Sequence, residues 1–166
     1  MHNLGGFMEI TIISVGKLKE KYLKAGISEY AKRMKPYANL KIVEVADEPE
    51  PNAVSDADIL KIKEIEGERI LAKIPERAHV IALDLKGKNL TSEDFSKEIN
   101  EAMIYGSNQI AFIIGGSHGL SQEVVQKTNL KISFGKMTYP HQLMRLILVE
   151  QIYRAFKIMR NEPYHK

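Results

Sequence analysis

Gln109-Ile110-Ala111-Phe112-Ile113-Ile114 runs straight into Gly115-Gly116-Ser117-His118-Gly119. The first stretch is short, apolar and rich in β-branched residues, and turn residues bound it, so it reads as a buried strand. The glycines follow at once, and Ser121 is placed to cap a short helix beyond them. Glu9–Val15 (EITIISV) repeats the strand pattern and stops at Gly16. Val80–Leu85 (VIALDL) does so again, with Lys86-Gly87 read as the turn that ends it. Leu40–Val45 and Lys131–Phe134 complete a set of five.

Helical spacing fills the intervals. Lys19–Met34 carries Tyr22, Leu23, Ile27, Tyr30 and Met34 three to four apart, with Pro36 beyond. Ser55 opens the next helix with Asp58 in the capping-box position, ahead of a stripe of Ile59, Ile62, Ile65, Ile70 and Leu71. Thr91-Ser92-Glu93-Asp94 opens a helix to about Tyr105, and a long one fills about Pro140–Arg160. Strand and helix alternate five times, the order of an α/β fold with a mostly parallel sheet flanked by helices. A chain of 166 residues suits one domain. That domain is expected over residues 8–166, with Met1–Phe7 an N-terminal extension before the more natural start at Met8.

Composition excludes several classes. Cys is absent, which removes disulfide frameworks, cysteine metal sites and a thiol nucleophile. The runs Ile110–Ile114 and Leu146–Val149 fall far short of the ~20 apolar residues that span a bilayer. Met1–Phe7 has neither the basic start nor the apolar core of a signal peptide. A cytoplasmic setting without membrane attachment is expected. Net charge is only +3, but residues 8–41 carry 8 basic and 3 acidic side chains and residues 131–166 carry 7 and 2. Residues 44–76 carry 4 and 10. Two basic ends brought together would suit a phosphate backbone; they read equally as solvated helix faces.

The last helix is apolar around most of its girth, which calls for burial on more than one side and is most easily met by a second subunit. Its polar residues fall in two sets: Glu150, Arg154 and Lys157 on one face, His141 and Arg145 on another. Glu150 and Arg154 also have the spacing of an ordinary helical ion pair.

The loop Gly115–Gly119 can offer backbone N–H groups to a closely approaching ligand, or be no more than a tight turn. Its G-G-x-x-G spacing is not the dinucleotide fingerprint and no Gly-Lys-[Ser/Thr] follows, which disfavours an NAD-linked oxidoreductase and a P-loop enzyme. The five histidines (His2, His79, His118, His141 and His165) lack metal-ligand spacing, so no metal is expected.

The chain ends with Phe134-Gly135-Lys136-Met137-Thr138-Tyr139-Pro140-His141, a helix containing Leu148-Val149-Glu150-Gln151-Ile152-Tyr153-Arg154-Ala155, and Pro163-Tyr164-His165-Lys166. Together with Gly16–Tyr22 (GKLKEKY) and Phe112–Leu120 (FIIGGSHGL), this end resembles the RlmH family of small SPOUT methyltransferases. The resemblance covers Met8–Lys166. It implies a homodimeric α/β fold with a C-terminal trefoil knot. It also implies methylation of N3 of a pseudouridine in the helix-69 stem-loop of 23S ribosomal RNA, with S-adenosylmethionine as donor and the assembled ribosome as substrate. Its cofactor contacts carry over onto Leu83, Gly115, Phe134, Gly135, Lys136, Met137, Thr138 and Tyr139. Its catalytic and RNA-contacting positions carry over onto His141, Glu150, Arg154, Tyr164 and His165. Where the family usually has Ser and Gly, this chain has Gly135 and Asn161.

The residues suit that chemistry. A proton must leave N3 as the nitrogen takes the methyl, so a base within hydrogen-bond reach is useful, with His141, Glu150 and His165 as candidates. Arg154, Lys157 and Lys166 suit phosphates, and Tyr164 can stack on a displaced base. The rival reading is a non-enzymatic ribosome-binding protein of the same fold.

Overall fold

The computed structural model describes residues 8–105 and 107–166; the expected extension over residues 1–7 lies outside them. Five strands, β1 (Met8–Val15), β2 (Ala38–Val45), β3 (His79–Asn89), β4 (Gln109–Ile114) and β5 (Leu130–Ser133), form one sheet in the order β2-β1-β4-β3-β5. Every pairing is parallel. The helices are α1 (Lys21–Met34), α2 (Asp56–Leu71), α3 (Ser92–Ile104), α4 (Gln122–Lys127) and α5 (His141–Met159).

Strand alternation sorts the core into two layers. Ile10, Ile12, Ile110, Phe112 and Ile114 face α1, α3 and α5, where they meet Ile27, Ile99, Leu148 and Ile152. Ile13, Val15, Ala111 and Ile113 face α2 and α4 through Ile70 and Val124. The caps are local and legible. Ser55 accepts from the Asp58 backbone while the Asp58 carboxylate takes the Ser55 N–H, and Thr91 and Ser121 cap α3 and α4.

Two expectations need correction, and a third is met in a different way. Lys86-Gly87 does not end β3, which runs on to Asn89, with an irregularity between Leu83 and Lys88 where it pairs with β5. A Cβ at Gly87 would come within 2.6 Å of the Ile132 backbone N, so the glycine serves close strand approach rather than a turn. Tyr22 lies on the expected apolar stripe of α1, yet it is 69% exposed. Finally, much of the girth of α5 is covered by its own chain. It packs against both α1 and α3, burying Leu148, Val149, Ile152, Tyr153, Ala155 and Phe156, while Leu143, Met144, Leu146 and Ile147 are only half-buried.

Candidate active site

The C-terminal ends of β3, β4 and β5 deliver three loops to one place. They enclose a cavity of about 370 Å³ whose wall includes Leu83, Gly115, Phe134, Gly135, Met137, Thr138 and Tyr139. These residues come from segments far apart in sequence, and they are the expected cofactor positions with one exception: Lys136 is exposed and does not line the cavity. Sequence reading missed Asp84, Leu85, Lys86 and Met144 on the same wall. Their signal was position, since the residues just past β3 and one turn into α5 border any ligand at this end of the sheet.

The fit to an adenosyl ligand rests on shape. The volume lies within the usual ~300–1,000 Å³ of small-molecule sites, and the wall is mainly apolar side chains and backbone. Gly135 takes φ +112° with nothing within 4 Å of where a Cβ would stand, a conformation that glycine adopts freely and Ser does not. Glycine at this position therefore suits the backbone here. Gly115 is tightly held: a Cβ would meet Leu120 Cδ2 at 2.8 Å and the Gly119 backbone at 3.3 Å.

His141 begins α5 and borders this cavity, exposed. One turn on, Arg145 is 2% exposed. Its guanidinium donates to Glu44 Oε2 at 2.6 Å, Ser14 Oγ at 2.8 Å and the Gly16 carbonyl at 3.3 Å. Glu44 also accepts the Leu18 backbone N–H, and Lys19 N–H donates to Gln142 Oε1. Arg145 thus ties the start of α5 to the ends of β1 and β2 and fixes where His141 stands. The signal was available: a charged residue one turn from His141 on an apolar helix must find buried partners.

Burial pushes the Glu44 carboxyl up, but the hydrogen bonds from Arg145 and Leu18 outweigh it and hold it below its ordinary value of 4.5. The stabilisation from a lowered carboxylate is complete above the ordinary value and lost as pH falls through the lower folded one. Glu44→Gln leaves Arg145 buried without a counter-charge. Breaking a buried pair costs ~3–5 kcal/mol, and with the Glu44 side chain 37% exposed a loss of roughly 2–3 kcal/mol is expected. Denaturant unfolding of wild type and variant checks this, and the two should converge as the solution is acidified below the carboxylate range.

The remaining expected residues meet elsewhere on the same chain. The Tyr164 hydroxyl donates to Glu150 Oε2 at 2.7 Å, and Arg154 donates to the same oxygen at 2.8 Å. Gln151 donates to Glu150 Oε1 at 2.7 Å. Arg154 also reaches His165 Nδ1 at 3.1 Å, and His165 Nε2 faces Glu93 at 3.4 Å. Donation to Nδ1 leaves the ring proton on Nε2, turned toward the carboxylate. The Tyr164 ring stands edge-on to Tyr153 at 4.9 Å, with Arg154 over its face at 4.7 Å. Burial, reinforced by the bond to Glu150, raises the Tyr164 phenol well above its ordinary range, so it stays a donor at neutral pH.

A tight helix end folds the tail back. Glu162 N–H bonds the Lys157 carbonyl and Asn161 N–H the Ile158 carbonyl, with Asn161 at φ 53°. This is the Schellman pattern, in which Asn is the usual substitute for Gly, so Asn161 suits the left-handed position that closes α5. Glu150 lies nine positions after His141, about 13.5 Å along the helix. The tail cluster and the cavity are therefore two places within one chain.

The family model described as predicted SPOUT methyltransferase matches residues 8–165. This chain belongs to the SPOUT methyltransferase family. Its relatives include the ribosomal RNA large subunit methyltransferase H of Carboxydothermus hydrogenoformans, 63% identical over 96% of this chain and 100% of that protein. The proteins of the same name from Exiguobacterium and Enterococcus faecalis are 59% and 57% identical, with the same coverage. The crystal structure of a methylase family protein from Neisseria gonorrhoeae has TM-score 0.51 at 16% identity, covering 89% of this chain and 82% of that one; this likeness is one of fold. Among the described residues, no group of three His, Asp or Glu could hold a metal, and no helix is long and apolar enough to cross a membrane.

Proposed function

We propose that this SPOUT methyltransferase transfers the methyl group of S-adenosylmethionine to N3 of a pseudouridine in the helix-69 stem-loop of 23S ribosomal RNA. It acts as a homodimer on the assembled ribosome, in the cytoplasm. The observation that carries the reading is full-length identity of 57–63% to relatives named for methylation of large-subunit ribosomal RNA. The cavity supports it, because Leu83, Gly115, Phe134, Gly135, Met137, Thr138 and Tyr139 meet there.

When bound, S-adenosylmethionine supplies an electrophilic methyl on a sulfonium. The chain supplies the rest. Leu83, Phe134 and Tyr139 exclude water from the donor, and the 115–119 and 134–139 loops fix its orientation, which is the main demand of an in-line transfer. The N3 proton needs an acceptor. Glu150 has both oxygens occupied and His165 is engaged on both nitrogens. His141 borders the cavity and its side chain makes no hydrogen bond among the described residues, so it is the candidate to take that proton. Arg154 and the tail then serve the RNA. The trefoil knot belongs to the same proposal. Residues 134–140 lead from β5 to an α5 anchored beside β1 and β2, while the far end of β3 pairs over β5 at Lys88 and Asn89, and the crossing is taken to thread that loop.

The test is a calorimetric titration with S-adenosylmethionine, followed by transfer of labelled methyl to ribosomes that lack this modification. Saturable 1:1 binding per chain and methylation of helix 69 are expected. Ribosome binding without cofactor affinity would instead establish the non-enzymatic reading.

A further inference from the structure

We propose that a second cavity, on the opposite side of β4 from the donor cavity, receives the target pyrimidine nucleotide, with its phosphate on Lys17 and Lys19. This rests on the methyltransferase reading above. After β4 the chain turns to α4 on one face of the sheet, whereas β1 and β3, which flank β4, lead to α1 and α3 on the other. Chain segments therefore part on both sides of the β4 end, and such partings are where parallel sheets open ligand crevices. The parting toward β3 is the donor cavity. The parting toward β1 opens a space of about 590 Å³, ample for a nucleotide. The two share Gly116, Ser117, His118 and His141 as a common wall. Two reactants that must meet at ~3–3.5 Å need adjoining spaces of this kind.

Charge orients the occupant. Lys17 and Lys19 stand exposed at the rim, and neither forms an ion pair among the described residues. The same cavity is lined by Glu44, Asp47, Glu48 and Glu50. Glu44 is tied to Arg145, Glu48 to Arg69 and Glu50 to His118, which leaves Asp47 as the one of these four without an ion pair among the described residues. A phosphodiester is drawn to the two exposed lysines and repelled by Asp47, Glu48 and Glu50 after β2, which turns the base inward toward His118 and His141. Pseudouridine presents imino N–H groups at both N1 and N3, where uridine has only N3–H, so an acidic wall favours it.

The floor gives an independent sign. Glu66 is 4% exposed; one carboxyl oxygen accepts the Glu48 N–H at 2.9 Å and the other has no partner. That unpaired oxygen lies against Gly116, 2.7 Å from where a Cβ would be. An unsatisfied buried polar atom costs ~1–3 kcal/mol, a cost expected at a ligand site rather than in packing.

The test compares wild type with Lys17→Ala/Lys19→Ala in methyl transfer to unmodified ribosomes. Alongside it, 4-thiouridine at the target position of a helix-69 hairpin is photo-crosslinked to the wild-type dimer. The double variant should raise KM at least tenfold, flatten the salt dependence of KM and keep cofactor affinity within twofold. The crosslink should fall on residues 16–19, 46–50 or 116–118. A KM within twofold of wild type, or crosslinks confined to other segments, overturns the nucleotide cavity and leaves the methyltransferase reading intact. Absence of methyl transfer by the wild type overturns both.

Discussion

Gly115→Val should weaken S-adenosylmethionine binding at least 100-fold, about 2.7 kcal/mol, while the protein still folds and assembles. The first carbon of any side chain at 115 lands 2.8 Å from Leu120 Cδ2 and 3.3 Å from the Gly119 carbonyl group. Leu120 can swing aside, but the Gly119 backbone, at φ +89°, cannot follow cheaply. Valine adds two further carbons fixed by its stiff χ1. The relief is displacement of the 115–119 loop, which forms part of the donor cavity wall. Overpacking of this sort costs ~1–3 kcal/mol of stability, which an ordinary domain survives. Gly115→Ala, with one carbon set against a movable leucine, should lose far less affinity. Calorimetry for binding and circular dichroism for folding check both. Cofactor affinity unchanged in a folded Gly115→Val protein would sink the assignment of this cavity.

The elements whose causes are local were legible. The bounds of β4 follow from an apolar run between polar residues and glycines, and the Ser55–Asp58 capping box is a property of four consecutive residues. What was misread depended on distant partners. Lys86-Gly87 has the composition of a turn, and only the approach of Ile132 explains why β3 passes through it. Tyr22 fits the helical period of α1, but it stands exposed. For α5, apolar girth was correctly read as a demand for cover; that α1 and α3 meet much of it follows from strand order, which periodicity does not encode. The site divides in the same way. The glycine loop announced itself, whereas the meeting of Leu83, Gly115 and residues 134–139 came from the family resemblance. Lys136 was carried along by its neighbours in that run and stands outside the cavity.

The geometry also sets an expectation for subunits. Deleting Tyr164–Lys166 should stop methylation while leaving fold and most cofactor affinity, because the tail packs on the outer part of α5 and not on the donor cavity. The tail cluster lies about 13.5 Å along α5 from His141, and Tyr164 and His165 are held there by Glu150 and Arg154. A tail so fixed does not reach its own cavity. Packing the half-buried Leu143 and Ile147 across a two-fold axis would bring each tail toward the cavity of its partner. Co-expression of Gly115→Val chains and tail-deleted chains under two affinity tags then yields heterodimers with one intact pocket facing one intact tail, and one site doubly defective. Each parent alone should be inactive, and the purified heterodimer should recover roughly half of the wild-type rate, one site of two. If pocket and tail act within one chain, every site in the heterodimer carries one defect and no activity returns. That result would exclude the shared site, and cofactor binding by the tail-deleted parent would show that the donor cavity itself had survived.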